Sequence, residues 1–109
     1  MPKQFKVVVA ATAKGDIKDI YNYIRLNDSK SSAEYVLDEI EKIIFGLEVM
    51  PMRGHVPNEL LRLNLSNYLE LHFKPYRVIY EIEGYVVFVH CVLDGRRELS
   101  ELLQRRLLR

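Results

Sequence analysis

The chain has 109 residues, of which 49% are apolar and one is cysteine. That length predicts one domain with a core of modest size, and one cysteine excludes an intrachain disulfide framework and fits a reducing cytoplasm. Sixteen basic and fifteen acidic residues leave a net charge of +1, so no global field drives the chain onto nucleic acid or membrane.

Lys3 and Lys6 precede a short apolar stretch ending Ala11-Thr12-Ala13. This imitates a signal peptide only at the minimum apolar length of ~7 residues; a first strand running into a helix cap is the simpler reading. The longest apolar run, residues 85–93 with His90 inside it, falls well short of the ~20 residues that span a bilayer. Charge is uneven. Residues 34–48 hold five acids and one lysine, whereas residues 95–109 hold five arginines and two glutamates.

Residues 5–10 are a β-branched run and predict a strand. Thr12 can cap a following helix, with Asp16 set against the positive end of its dipole. Ile17, Ile20, Tyr21 and Ile24 form its apolar stripe, and residues 27–29 stop it. Ser31-Ser32-Ala33-Glu34 has the form of a capping box. It opens a second helix with the stripe Ala33, Val36, Leu37, Ile40, Ile43, Ile44 and Leu47. The short link predicts an antiparallel helical hairpin. Pro51 ends the second helix near Met50. Residues 52–58 are a turn-rich crossing, and residues 60–65 are ambiguous. Three strands follow, at about 68–73, 76–82 and 85–93, with turns at Lys74-Pro75 and Glu83-Gly84. Leu99, Leu102, Leu103 and Leu107 predict a short C-terminal helix. The fold class is therefore α+β: an N-terminal strand, a helical hairpin, a three-stranded antiparallel meander and a short helix, with the helices on one face of the sheet.

Alternation sorts the strand residues. One set is Leu69, Leu71, Phe73, Tyr76, Val78, Tyr80, Ile82, Tyr85, Val87, Val89, Cys91 and Leu93. All are apolar or aromatic, so this face should cover the hairpin. The other set is Tyr68, Glu70, His72, Arg77, Ile79, Glu81, Val86, Phe88, His90 and Val92, a mixed and open face on which function is expected. With turns of two or four residues, His72 faces Arg77 and Arg77 faces His90. Pro75 is the weak point of that register, because proline cannot adopt the positive φ of a type I′ turn.

No Gly-rich phosphate loop, His-Glu-x-x-His, paired cysteine or Gly-x-Ser-x-Gly is present. Cys91 falls on the apolar face, where a thiol behaves as a small hydrophobe. No cysteine or third histidine joins His72 and His90 on their face, so no metal site is expected. Arg77 stands among apolar neighbours. It reads either as half of a salt bridge to Glu70 or Glu81 or, with Arg96 and Arg97, as a site for phosphate or an acidic partner.

The run Pro75-Tyr-Arg-Val-Ile-Tyr-Glu-Ile82, a hydrophobic strand, and then Gly95-Arg-Arg-Glu-Leu99 resemble the RelE/ParE superfamily of type II toxin–antitoxin toxins. So do Asp16-Ile17-x-x-Ile20-x-x-Tyr23-Ile24 and Pro51-x-Arg-Gly54 followed by Pro57-x-Glu-Leu60. The resemblance covers nearly the whole chain. It implies a bacterial cytoplasmic toxin with no cofactor, held inactive by a cognate antitoxin in a hetero-oligomer and reaching operator DNA only through that antitoxin. In this superfamily RelE-like members cleave messenger RNA on the ribosome, and ParE-like members bind DNA gyrase. The resemblance aligns Arg77 and Arg97 with arginines of the RNase members. Their strand lysine pair falls at Leu69 and Leu71, and their C-terminal tyrosine falls near Leu103. That loss favours a ParE-like gyrase poison contacting its target through Arg77, Arg96, Arg97, His72 and His90. The alternatives are a RelE-like mRNA endonuclease using Arg77, Arg97, His72 and His90, or a non-toxic co-repressor subunit.

Overall fold

A computed structural model describes residues 4–62, 64, 67–95 and 105. The element order is β1 (Lys6–Val9), α1 (Ala11–Asn27), α2 (Lys30–Gly46), a 3-10 turn (Pro51–Arg53), α3 (Asn58–Leu61), β2 (Tyr68–Phe73), β3 (Tyr76–Glu83) and β4 (Val86–Asp94). The α+β class and the element order agree with the sequence reading. The expected C-terminal helix, Arg96, Arg97 and Leu103 lie outside the described residues.

The sheet order is β1-β4-β3-β2. The meander is antiparallel, and β1 adds to it in parallel beside β4, Val9 opposite Val89. The β2–β3 link is the two residues Lys74 and Pro75, joined by a cis peptide bond, as in type VI turns. The β3–β4 link turns at Gly84, whose φ of +61° suits glycine.

The two long helices pack on one face, as expected, but α3 lies on the other. Ala13 and Ile24 of α1 and Ala33, Ile40 and Ile44 of α2 bury with Val78, Tyr80, Val87, Val89 and Val92 of the sheet. Leu69, Leu71 and Phe73 join them at the margin. The stripe of the second helix thus falls where its periodicity places it, but its cap is Ser29 rather than Ser31, with Ser29 Oγ accepting from the Ser32 N–H at 3.0 Å.

Two expectations for β4 need correction. Register shifts between Ile79/Cys91 and Tyr80/Val89, leaving His90 as the extra residue of a bulge. A bulge adds one residue to one strand and so reverses parity beyond it. Val92 therefore joins the helix face, while Cys91 and Leu93 turn to the far face and bury there with Ile79 and Leu60. Tyr85, expected in the core, sits in the turn and is exposed.

The bulge also explains Thr12 and Asp16. β1 ends at Val9, so β4 loses its ladder partner beyond Val89. Thr12 Oγ1 donates to the His90 carbonyl at 2.9 Å, and Asp16 accepts from the Val92 N–H at 3.0 Å. One helical turn apart on α1, they take the place of the missing strand. Ala10 caps the helix with no side-chain bond, so Thr12 is not its cap.

Candidate functional site

The far face of the sheet is only partly open. α2 ends at Gly46, before the stop expected near Met50, and the segment from Pro51 to Leu61 crosses back over this face. Tyr80 anchors it. The Tyr80 hydroxyl donates to the Pro51 carbonyl at 2.7 Å and accepts from the Gly54 N–H at 3.1 Å. Burial pushes the phenol above its ordinary value, so it stays a donor. A Cβ on Gly54 would strike that hydroxyl and come within 2.7 Å of the Glu70 carbonyl, so this crossing requires glycine. His55 then pairs with Glu70 in an isolated antiparallel bridge on the outer edge of β2. Leu60 of α3 closes a small second core over Ile79, Cys91 and Leu93, with Val56 and Tyr68 at its rim. Cys91 is buried there.

Beside this core lies a cleft of about 520 Å³ lined by His55, Asn58, Glu59, Arg62, Glu70, His72 and Arg77. Arg77 is its centre. Its terminal nitrogens bond both oxygens of Glu59 at 2.8 and 3.0 Å. Its Nε and one terminal nitrogen bond Glu70 at 3.2 and 2.5 Å. The Glu70 side chain is 3% exposed and that of Arg77 13%. The two carboxylates hold the guanidinium's pKa well above its ordinary value, Glu59 contributing most. In return the Arg77 hydrogen bonds hold Glu59 below the usual carboxylate value of 4.5, against an opposing contribution from burial. Of the two partners the sequence offers Arg77, Glu70 or Glu81, the structure pairs it with Glu70; the Glu59 arm is not legible in the sequence.

The His72-Arg77-His90 row is half present. His72 lies across from Arg77, as read, and contacts Glu70. Arg77, however, faces Leu93. The bulge and a turn register different from the one assumed carry His90 toward the other end of the strands. There its Nε2 lies 3.0 Å from Glu81, and its ring meets Tyr68 edge to face. His55, Glu59 and Arg62 were missed as site residues. In the sequence Pro57-x-Glu-Leu60 stands out only as a motif, yet its glutamate is one of the two that clasp Arg77.

On the helix side, Val9, Ile17, Leu37, Ile44 and Phe45 line an apolar groove of about 250 Å³ with Lys14 and Glu41 at its rim. No helix among the described residues is long and apolar enough to cross a membrane.

Comparison with known proteins agrees with this architecture. Toxin ParE3 of Caulobacter vibrioides is 26% identical over 101 residues, 93% of this chain and 97% of that protein. A structure described as the chromosomal ParDE TA system from P. aeruginosa superposes with a TM-score of 0.67 at 14% identity, covering 82% of this chain and 94% of that one. The toxin–antitoxin complex RelBE2 from Mycobacterium tuberculosis superposes at 0.62 with 18% identity, covering 86% and 94%. Residues 7–99 match the family model for the ParE toxin of the type II toxin–antitoxin system parDE, and the chain belongs to that family within the RelE/ParE superfamily.

Proposed function

We propose that this toxin acts in the bacterial cytoplasm by binding and arresting DNA gyrase, and that a cognate antitoxin neutralises it. The state of Arg77 carries the reading. Cleaving RNA requires cations ready to meet the scissile phosphate. Here the strand arginine is held by two carboxylates, and a phosphate would have to displace Glu59 or Glu70 to reach it. The positions of the RNase lysines, Leu69 and Leu71, pack toward the helices. Arg77 therefore holds the far face in shape, and His72, Arg62 and His90 are left to meet the target.

The antitoxin reading rests on the groove under Phe45 and on the apolar side chains exposed along the hairpin and after it, among them Tyr23, Leu26, Tyr35, Val49 and Met50. A segment that folds on binding would cover such a surface. Co-expression with the product of a neighbouring short reading frame should give a co-purifying complex.

One observation favours the RelE-like alternative. His55, Glu70 and His72 meet in the cleft beside Arg62 and could move protons there. Purified toxin should inhibit gyrase supercoiling and leave ribosome-bound mRNA intact. Codon-positioned cuts abolished by His72→Ala would establish the RNase instead. If neither target responds while operator binding with the antitoxin persists, the chain is a co-repressor.

A further inference from the structure

His55, Glu70 and His72 form a cluster that the gyrase reading leaves unexplained. Each offers one ring nitrogen or carboxylate oxygen, and these atoms lie within 4.8 Å of one another. The backbone sets that spacing. Glu70 and His72 are two residues apart on β2 and share its far face. His55 is held directly opposite Glu70 by paired backbone hydrogen bonds, 3.2 Å from the His55 N–H and 2.7 Å from the Glu70 N–H. The two imidazoles meet edge to face with centroids 5.5 Å apart. Both histidines are exposed, whereas the carboxylate between them is buried and fixed by Arg77.

We propose that His55, Glu70 and His72 bind one divalent transition-metal ion, zinc above all. Two imidazoles and one carboxylate are the donor set of zinc sites with three protein ligands and one open position. The same set disfavours magnesium and calcium, which take oxygen ligands. Arg77 supplies what such sites require beyond the ligands, a hydrogen-bonding partner that fixes the orientation of the carboxylate. The formal charges around the cleft are Glu59 and Glu70 against Arg62 and Arg77. They cancel, so a cation entering beside Glu70 meets no net positive field. Bound there, the ion would tie the crossing segment to the edge strand through His55 and His72. Its open position would face solvent, where water or a partner's side chain can fill it.

The test uses the full chain without a histidine tag. Zinc is titrated in competition with a chromogenic chelator, and cobalt is followed separately by its visible absorption. One equivalent of each should bind, and magnesium at the same concentration should not compete. His55→Ala and His72→Ala should each weaken zinc by at least about 10-fold. His90→Ala, on the same face but outside the cluster, should keep the parent affinity. Zinc should raise the melting temperature of the parent chain and of His90→Ala more than that of either cluster variant. Both cluster variants should keep the parent circular dichroism without metal, because both side chains lie at the surface. The proposal is overturned if zinc binds with less than one equivalent, if both cluster variants bind like the parent, or if His90→Ala loses as much affinity as they do.

Discussion

The two faces of the sheet bury their side chains by different means. The helix face is apolar apart from the Tyr80 hydroxyl: Val78, Tyr80, Val87, Val89 and Val92 meet Ala13, Ile24, Ala33, Ile40 and Ile44. The force there is nondirectional and scales with the area removed from water. The far face buries a short apolar patch under Leu60 and, next to it, an arginine between two carboxylates. That arrangement is directional, and it fails if one member leaves. The fixed polar groups of the sheet thus stand on the face that the helical hairpin does not cover.

The sharpest way to break the contrast is a charge on the helix face. Val89→Asp or Val78→Asp places a lone carboxylate where exposure is 0%, at a cost of several kcal/mol or forced protonation. Neither variant should give a cooperative melt. If either melts like the parent, the helix face is not the main core.

On the far face, Arg77→Ala should cost about 3–5 kcal/mol, because it leaves Glu70 buried without its counter-ion. In a domain of this size about 1 kcal/mol moves the melting temperature by ~4–8 °C, so the loss is easily measured. Replacing both buried partners, Arg77→Met with Glu70→Leu, should recover most of the stability, since only the more exposed Glu59 is then left without its counter-ion. If the double variant is as unstable as Arg77→Ala, the far face depends on more than charge balance.

How far each face could be read from sequence follows the same division. The bounds of β2, the helix stripes and, Tyr85 apart, the helix face up to Val89 rest on local period and are legible. Beyond Val89 the parity failed because His90 forms a bulge, and nothing in Val-His-Cys-Val marks one. The Glu70–Arg77 pair was legible because both lie on adjacent strands of one hairpin. Glu59 and His55 were not, because they reach the site only when the crossing segment folds back, and local pattern says nothing about where a crossing lands. The sequence suggests Thr12 as a helix cap and Asp16 as a charge against the helix dipole. Instead both bond the backbone of β4, which no local pattern signals.

The crossing segment is the joint between the two faces, so its anchor should show an intermediate effect. Gly54→Ala forces a methyl group toward the Tyr80 hydroxyl and the Glu70 carbonyl, an overpacking worth about 1–3 kcal/mol. Tyr80→Phe leaves the Pro51 carbonyl and the Gly54 N–H without their partner, at about 1–2 kcal/mol. The two should be strongly non-additive in chemical denaturation, since removing the hydroxyl also removes one of the two clashes. Simple additivity would mean that the glycine is required by the Glu70 backbone alone.

The smallest effect should come from the more exposed arm of the Arg77 clasp. Its hydrogen bonds with Arg77 lower the pKa of Glu59 in the folded chain. A group whose pKa is depressed by folding contributes stability that is fully present above its unfolded value. That contribution starts to fade as pH falls past the ordinary carboxylate value of 4.5, and it is gone below the lower value of the folded state. Glu59→Gln should therefore melt below the parent at pH 7, by about 1 kcal/mol or less given the partial exposure of the pair. The gap should close on acidification through that window. Glu70 stays paired with Arg77 in the variant, so the two chains should converge on one another while the fold persists. A gap that is constant from pH 7 to below 4 would show that Glu59 contributes through packing rather than charge. The far face would then resemble the helix face more closely than its salt bridges suggest.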